Sequence, residues 1–153
     1  TERAPRILMY HRFARTPSPR RLHAREFERQ LRVLKRHFQV VPLGEYGTWL
    51  AEGRPVPPRT AVITVDDGYR DFFEVAYPML RRYELPATLF VATDPVDSGA
   101  WLWPDVVQYV LEQTTRAELT VDLGAQRVHF ALTDSSSRAT AWQRIVNAAV
   151  ALP

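Results

Sequence analysis

The apolar positions of this 153-residue chain fall into two regimes. In the first, short apolar runs alternate with segments of helical period. Residues 6–11 (RILMYH) read as a buried strand ending at a histidine, followed by a Pro-rich loop. Residues 24–38 place Phe27, Leu31, Leu34 and Phe38 on one helical face with charges opposite. Residues 39–41 (QVV) form a short strand stopped by Pro42, and residues 43–53 a short helix ended by Gly53. A rigid connector, RPVPPR, leads to the strand 61–65 (AVITV). Residues 70–83 are mostly helical, with Pro78 expected to break or kink the helix near Ala76. Residues 86–93 (PATLFVAT) are a further β-rich run. Strand and helix alternate, which argues for parallel strands joined by helical crossovers.

After Thr93 the texture changes. WLWPDVVQYVLEQT predicts a helix starting near Pro104, a residue suited to a first turn. Leu119, Val121 and Leu123 then answer Val128, Phe130 and Leu132 across a Gly-centred turn, which predicts a β-hairpin. TDSSS reads as a loop, and a helix from Arg138 runs to the end of the chain after this Ser-rich N-cap region. The division expected is residues 1–100 as the βα scaffold and 101–153 as an inserted helix, hairpin and helix.

Composition narrows the chemistry. A hydrophobic content of 46% and a charged content of 24% fit one ordinary globular domain with a real core. No apolar run reaches the length of a membrane span. The net charge is only +3, and Lys35 is the single lysine. The one basic stretch, residues 15–25, is broken by Pro and Ser, so nucleic acid is not an expected partner. With no cysteine, disulfides, thiolate metal sites and a Cys nucleophile are excluded, and any metal must use Asp, Glu, His or water.

The candidate chemistry lies where the buried strand 61–65 runs into Asp66 and Asp67, with Gly68 next. In parallel α/β folds, ligands bind at the carboxyl ends of strands. Gly68 permits a tight turn there. Two adjacent carboxylates cannot both ionise cheaply, and a divalent cation removes that conflict by letting one ligate while the other handles protons. His11 ends its strand at the same expected edge and could line the site or be a structural histidine. Tyr69 could contact a ligand or pack. Trp101 and Trp103 would form either a stacking wall for a ligand or the insertion's own core. His129 is expected to face solvent, and Arg81 and Arg82 to form a solvated face.

Two families carry an acidic pair at such a place. The phospho-receiver pattern also needs a second strand-end Asp and a later Lys; no lysine follows Lys35, and Asp105 sits at a helix start. The better match is ITVDDGY (63–69), which resembles the T-F-D-D-G motif of the polysaccharide deacetylases, the NodB-homology or carbohydrate esterase family 4 enzymes, with Val65 in the place of Phe. ILMYHRF, FERQLRVLKRHFQVVPLGEY and YPMLRRYELPATLFVAT resemble the same family's first strand, first helix with second strand, and P-A-T-x-F-V run. WLWPDVV and the hairpin after it resemble an insertion found in some bacterial exopolysaccharide-type members.

The resemblance implies the N-terminal part of a deformed (β/α) barrel of the NodB-homology type, with a helix–hairpin–helix insertion. It implies a divalent metal, Zn²⁺ in most members, and removal of N-acetyl or sometimes O-acetyl groups from peptidoglycan, chitin-like polymers or exopolysaccharide, with the cell envelope or exterior favoured. Carried over by position, Asp66 matches the catalytic base and Asp67 a metal ligand. The family's remaining ligands come from H-x-x-x-H or H-x-x-x-x-H, and His11, His23, His37 and His129 do not make that spacing. The family's arginine motif and late L-x-H motif are also absent. The expectation is therefore an incomplete domain, inactive by itself, awaiting its C-terminal half or a partner chain. The alternatives are a non-catalytic carbohydrate-binding relative or an assembly module of the same fold.

Overall fold

The structure is a computed structural model that describes residues 4–18 and 20–151. The chain divides into two compact units, Thr1–Thr93 and Asp94–Pro153.

The first unit is built around a parallel sheet. Its elements are β1 (Arg6–Tyr10), β2 (Phe13–Ala14), β3 (Leu22–His23), α1 (Ala24–His37), β4 (Gln39–Val40), α2 (Leu43–Ala51), β5 (Thr60–Val65), α3 (Tyr77–Tyr83) and β6 (Thr88–Leu89). β5 is central and every residue in it is buried. β1 pairs along one edge of it, from Arg6 opposite Ala61 to Tyr10 opposite Val65. The other edge is shared, with β4 at the start of the strand and β6 at its end. Ala61, Ile63 and Val65 pack with Phe27, Leu31 and Leu34 of α1 and Leu80 of α3. Val62, on the other face, packs with Val41 and with Trp49 of α2. A strand buried on both faces reads as a continuous apolar run, which is why TAVITV shows no alternation.

Several expectations are corrected. β1 is not buried on both faces: Leu8 and Tyr10 join the α1 core, but Ile7 and Met9 are 55% and 63% exposed, because among the described residues no layer covers their side. Residues 12–23 are not simply a loop. Phe13 is fully buried between the rings of Tyr10 and Phe27, and that anchor lets Phe13–Ala14 pair in parallel with Leu22–His23; Pro19 of this stretch lies outside the described residues. Residues 86–93 yield only a two-residue strand, since β6 pairs with β5 at Thr64 and Val65 alone. Thr93 instead opens a short helix, α4 (Thr93–Ser98). Arg82 is not merely solvated: with Arg32 and the Tyr83 hydroxyl it converges on Glu28, tying α3 to α1. The Tyr83 hydroxyl is the leading cause holding the Glu28 carboxyl below its ordinary range.

Pro78 does not break the helix. Phe72–Ala76 form a π-helical turn that runs straight into α3, and the Tyr77 N–H reaches back five residues to the Phe72 carbonyl. Proline cannot donate to the carbonyl four residues earlier. That carbonyl belongs to Glu74, and Arg15 Nη2 donates to it at 2.7 Å instead. The wide turn at Phe72–Ala76 thus lies where the sequence predicts the helix to be disturbed, and it accommodates the proline without ending the helix.

The second unit holds α4 together with α5 (Trp103–Gln113), β7 (Glu118–Leu123), β8 (Gln126–Ala131) and α6 (Ser135–Val150). β7 and β8 form the expected antiparallel hairpin, Leu119 opposite Phe130 and Val121 opposite Val128. Gly124 takes a φ of 61° at the first position of its two-residue turn, where only a glycine is unstrained. Leu111, Phe130, Leu132 and Ala141 make the core. The serines expected in a loop instead open α6. Asp134 accepts the Ser137 N–H at 2.8 Å while its own N–H donates to Ser137 Oγ at 3.0 Å, a reciprocal capping box. The last two residues of the predicted terminal helix, 152 and 153, lie outside the described residues.

The connection out of β5 sets the functional edge. Asp67 and Gly68 both have left-handed backbone, at φ 74° and 77°. A Cβ on Gly68 would lie 3.0 Å from Val91 Cγ1. Gly68→Ala is therefore expected to lower stability by about 1–2 kcal/mol in urea unfolding. Gly47→Ala, in α2 with nothing within 4 Å, should leave stability unchanged or raise it by up to ~1 kcal/mol. Equal stability of Gly68→Ala and wild type would contradict this account of the turn. In the second unit, the Ser137 N–H holds the Asp134 carboxyl below its ordinary range. Because the folded value is depressed, the cap's contribution is full above the ordinary Asp pKa of about 4 and is lost as pH falls through the depressed value. Protection factors of the amides in the first turn of α6, taken against the intrinsic exchange rate at each pH, should fall on acidification in wild type, and be already low and less pH-sensitive in Asp134→Ala.

Candidate active site

The C-terminal edge of the parallel sheet gathers the acidic pair and the residues that follow β1. Two backbone bonds extend the ladder past the strand ends: Asp66 N–H donates to the Tyr10 carbonyl at 2.9 Å, and Phe90 N–H to the Val65 carbonyl at 2.8 Å. Asp66 is thus locked beside the end of β1, one residue from His11. Its carboxylate Oδ2 lies 3.7 Å from His11 Nε2, with the side chains 25% and 47% exposed respectively. This separation is too long for a hydrogen bond. Asp66 is partly sheltered and partly open to solvent.

Asp67 takes the left-handed conformation directly after it. A non-glycine residue there costs energy and persists only where its surroundings hold it. The turn is held by the Gly68–Val91 approach and by a long bond, 3.4 Å, from Ala92 N–H to the Asp67 carbonyl. Two successive carboxylates on a strand would point to opposite faces; the left-handed step at Asp67 breaks that alternation.

Beyond the turn lie residues that sequence reasoning missed. Asp71 accepts from Arg12 Nε at 2.8 Å on Oδ2 and from the Phe13 N–H at 3.1 Å on Oδ1. The Arg12 guanidinium also sits over the Tyr69 ring, 3.8 Å from its centroid. Tyr69 is therefore half-buried under a cation, which favours the packing role for it. A signal existed, since Asp71 stands five residues after Asp66 in a helix's first turn and Arg12 follows His11. Only the tertiary fold shows that the two meet, 59 positions apart.

The other candidates scatter. His23 caps α1, its Nδ1 accepting the Arg25 N–H at 3.2 Å. His129 is exposed on β8, near Thr120 and Glu118. Trp101 and Trp103 are exposed and do not build the second unit's core; Trp101 makes an edge-to-face contact with Tyr109 at 5.2 Å. Trp142 does the anchoring instead, donating from Nε1 to the Pro104 carbonyl at 2.9 Å.

The donor set can be held against the metal that the resemblance implies. A catalytic Zn²⁺ takes three protein ligands. Asp66, Asp67 and His11 have suitable chemistry, but among the described residues no group of three or more His, Asp or Glu side chains is placed to hold a metal ion. The described residues therefore supply part of a metal site at most. No helix among them is long and apolar enough to cross a membrane.

Comparison with known proteins converges on one family. Residues 53–121 match the family model described as polysaccharide deacetylase. The chain is 34% identical over 86 residues to YxkH of Bacillus subtilis, covering 56% of this chain and 30% of that protein. It is 36% identical over 72 residues to the poly-beta-1,6-N-acetyl-D-glucosamine N-deacetylase of Staphylococcus aureus, covering 46% of this chain and 24% of that one. Among solved structures, the deacetylase PplD of Streptococcus pyogenes, in complex with acetate, aligns with a TM-score of 0.54 at 27% identity, over 69% of this chain and 51% of that one. IcaB of Ammonifex degensii shares the fold, with a TM-score of 0.57 at 24% identity over 72% and 49%. The chain spans about half the length of these solved relatives and less than a third of the two curated ones. The family model, the curated relatives and the solved structures all point the same way: over its acidic pair and the strand before it, the chain is similar to part of the polysaccharide deacetylase domain.

Proposed function

We propose that the protein to which this chain belongs hydrolyses N-acetyl groups of a polysaccharide, releasing acetate and leaving a free amine on the sugar. The observation that carries the reading is the Asp66–Asp67 turn at the C-terminal end of β5, inside the stretch that matches the family. In this reading Asp66 is the general base. It accepts a proton from the water that adds to the acetamide carbonyl, and its partial exposure leaves room for that water. Proton delivery to the nitrogen then breaks the C–N bond, so amide plus water becomes amine plus acetate.

Asp67 would be one ligand of a divalent metal, Zn²⁺ by family resemblance, with the other ligands supplied from outside the described residues; such a metal lowers the pKa of its water and polarises a carbonyl. The S. aureus relative's name makes poly-β-1,6-N-acetylglucosamine the first polymer to try. A glycan substrate also fits a cell-envelope or extracellular setting.

The test is acetate release from that polymer by the full-length protein, with metal content measured alongside. Asp66→Asn should keep the metal and lower kcat by about 10²–10⁴-fold, the usual worth of a general base. Asp67→Ala should lose metal and turnover together, and a chelator should abolish the wild-type rate until metal is restored. Full activity of Asp66→Asn would overturn the base assignment. A full-length protein that bound acetylated glycan but released no acetate would replace the hydrolase reading with a binding one.

A further inference from the structure

Asp71 touches neither carboxylate of the acidic pair, yet its contacts all lead back to the residues beside them. Its side chain is only 12% exposed and both of its oxygens are engaged. Both donors, Arg12 Nε and the Phe13 N–H, come from the two residues that follow His11. On the near side of His11, the Tyr10 carbonyl is held by the Asp66 N–H. On the far side, Phe13 is fully buried against Phe27, with ring centroids 4.8 Å apart. His11 is thus suspended between two fixed points, while its own ring is half exposed and rests 3.7 Å from Asp66.

Charge and geometry make this clip stiff. A largely buried carboxylate with a guanidinium donor and a backbone donor makes charge-assisted bonds, which are stronger than neutral ones. Stacking on Tyr69 at 3.8 Å holds the guanidinium plane from the opposite side. Tyr69 and Asp71 reach the end of β1 only because Asp67 and Gly68 turn the chain through left-handed backbone. The same turn that presents the acidic pair thereby also fixes the histidine facing it.

We propose that Asp71 is a positioning residue which, through Arg12 and the Phe13 N–H, holds His11 against Asp66 and so sets the orientation of the carboxylate that acts as base. The inference rests on the deacetylase reading above. A separation of 3.7 Å is about 1 Å from a hydrogen bond. The clip on residues 11–13 therefore sets how far the imidazole stands from the carboxylate.

The test is a double-mutant cycle in the full-length enzyme, scored by acetate release. Asp71→Asn keeps the volume and removes the charge. It should lower kcat by about 10–100-fold, the scale of an ångström-sized misplacement, with KM changed less than about twofold. In a His11→Ala background the same substitution should have almost no further effect, because its route to Asp66 is already gone. Full additivity of the two losses, or an unchanged kcat in Asp71→Asn, would overturn the proposal. Should Asp71→Asn fail to fold, Arg12→Gln, which keeps the Phe13–Asp71 bond, is run through the same cycle with the same outcomes. If the wild-type enzyme itself releases no acetate, it is the deacetylase reading that fails. Crystal structures then carry the test: His11 should move away from Asp66 in Asp71→Asn, and an unmoved His11 overturns the positioning role.

Discussion

Strand β5 is wholly buried, so every backbone N–H and C=O along it must find a partner inside the protein. One residue later the chain has to deliver two carboxylates to solvent. Both demands are met by letting the ladder overrun the strand: Tyr10 receives the Asp66 N–H, and Val65 receives the Phe90 N–H. Because neighbouring strands hold the backbone at this point, Asp67 keeps its left-handed φ of 74° directly after them. Strain of this kind collects at functional sites, where the surroundings over-determine the conformation.

The rest of the functional edge follows from that one junction. A parallel sheet brings the ends of successive strands to the same side, so His11 after β1 and Asp66 after β5 meet although 55 positions separate them. The left-handed step then folds Tyr69 and Asp71 back over the segment after His11. Apolar packing supplies the platform, through Phe13, Phe27 and Ile63. Polar contacts set the fine positions above it, because hydrogen bonds constrain direction as well as distance.

Much of this was legible along the chain. The face of α1, the uninterrupted β5, the presence of the hairpin and the carboxylates at a strand end all follow from periodicity and turn chemistry. What failed did so for identifiable reasons. Pro78 predicts a break or kink near Ala76, but the helix continues through a π turn there, and the Glu74 carbonyl left by the proline is met by Arg15, 59 positions from Glu74. Ile7 and Met9 look buried because a strand's hydrophobicity does not say which of its faces is covered. Phe13 and Leu22, single apolar residues in a polar stretch, carry no period from which a strand pair could be read. Trp101 and Trp103 have the size of core residues, but the space in the second unit's core is taken by Leu111, Phe130 and Leu132.

By itself, the order of residues determined that this is a parallel α/β chain with a pair of acids where a buried strand ends, and that this stretch resembles the polysaccharide deacetylases. These properties depend on local spacing and side-chain type, which a linear string contains in full. Only the tertiary structure decided that Asp66 faces His11, that Tyr69 lies under a guanidinium, and that Asp71 grips the segment joining β1 to β2. Contacts between residues more than fifty positions apart depend on strand pairing and on the left-handed turn at Asp67. No local pattern encodes their distances, because they exist only once β1 and β5 lie side by side.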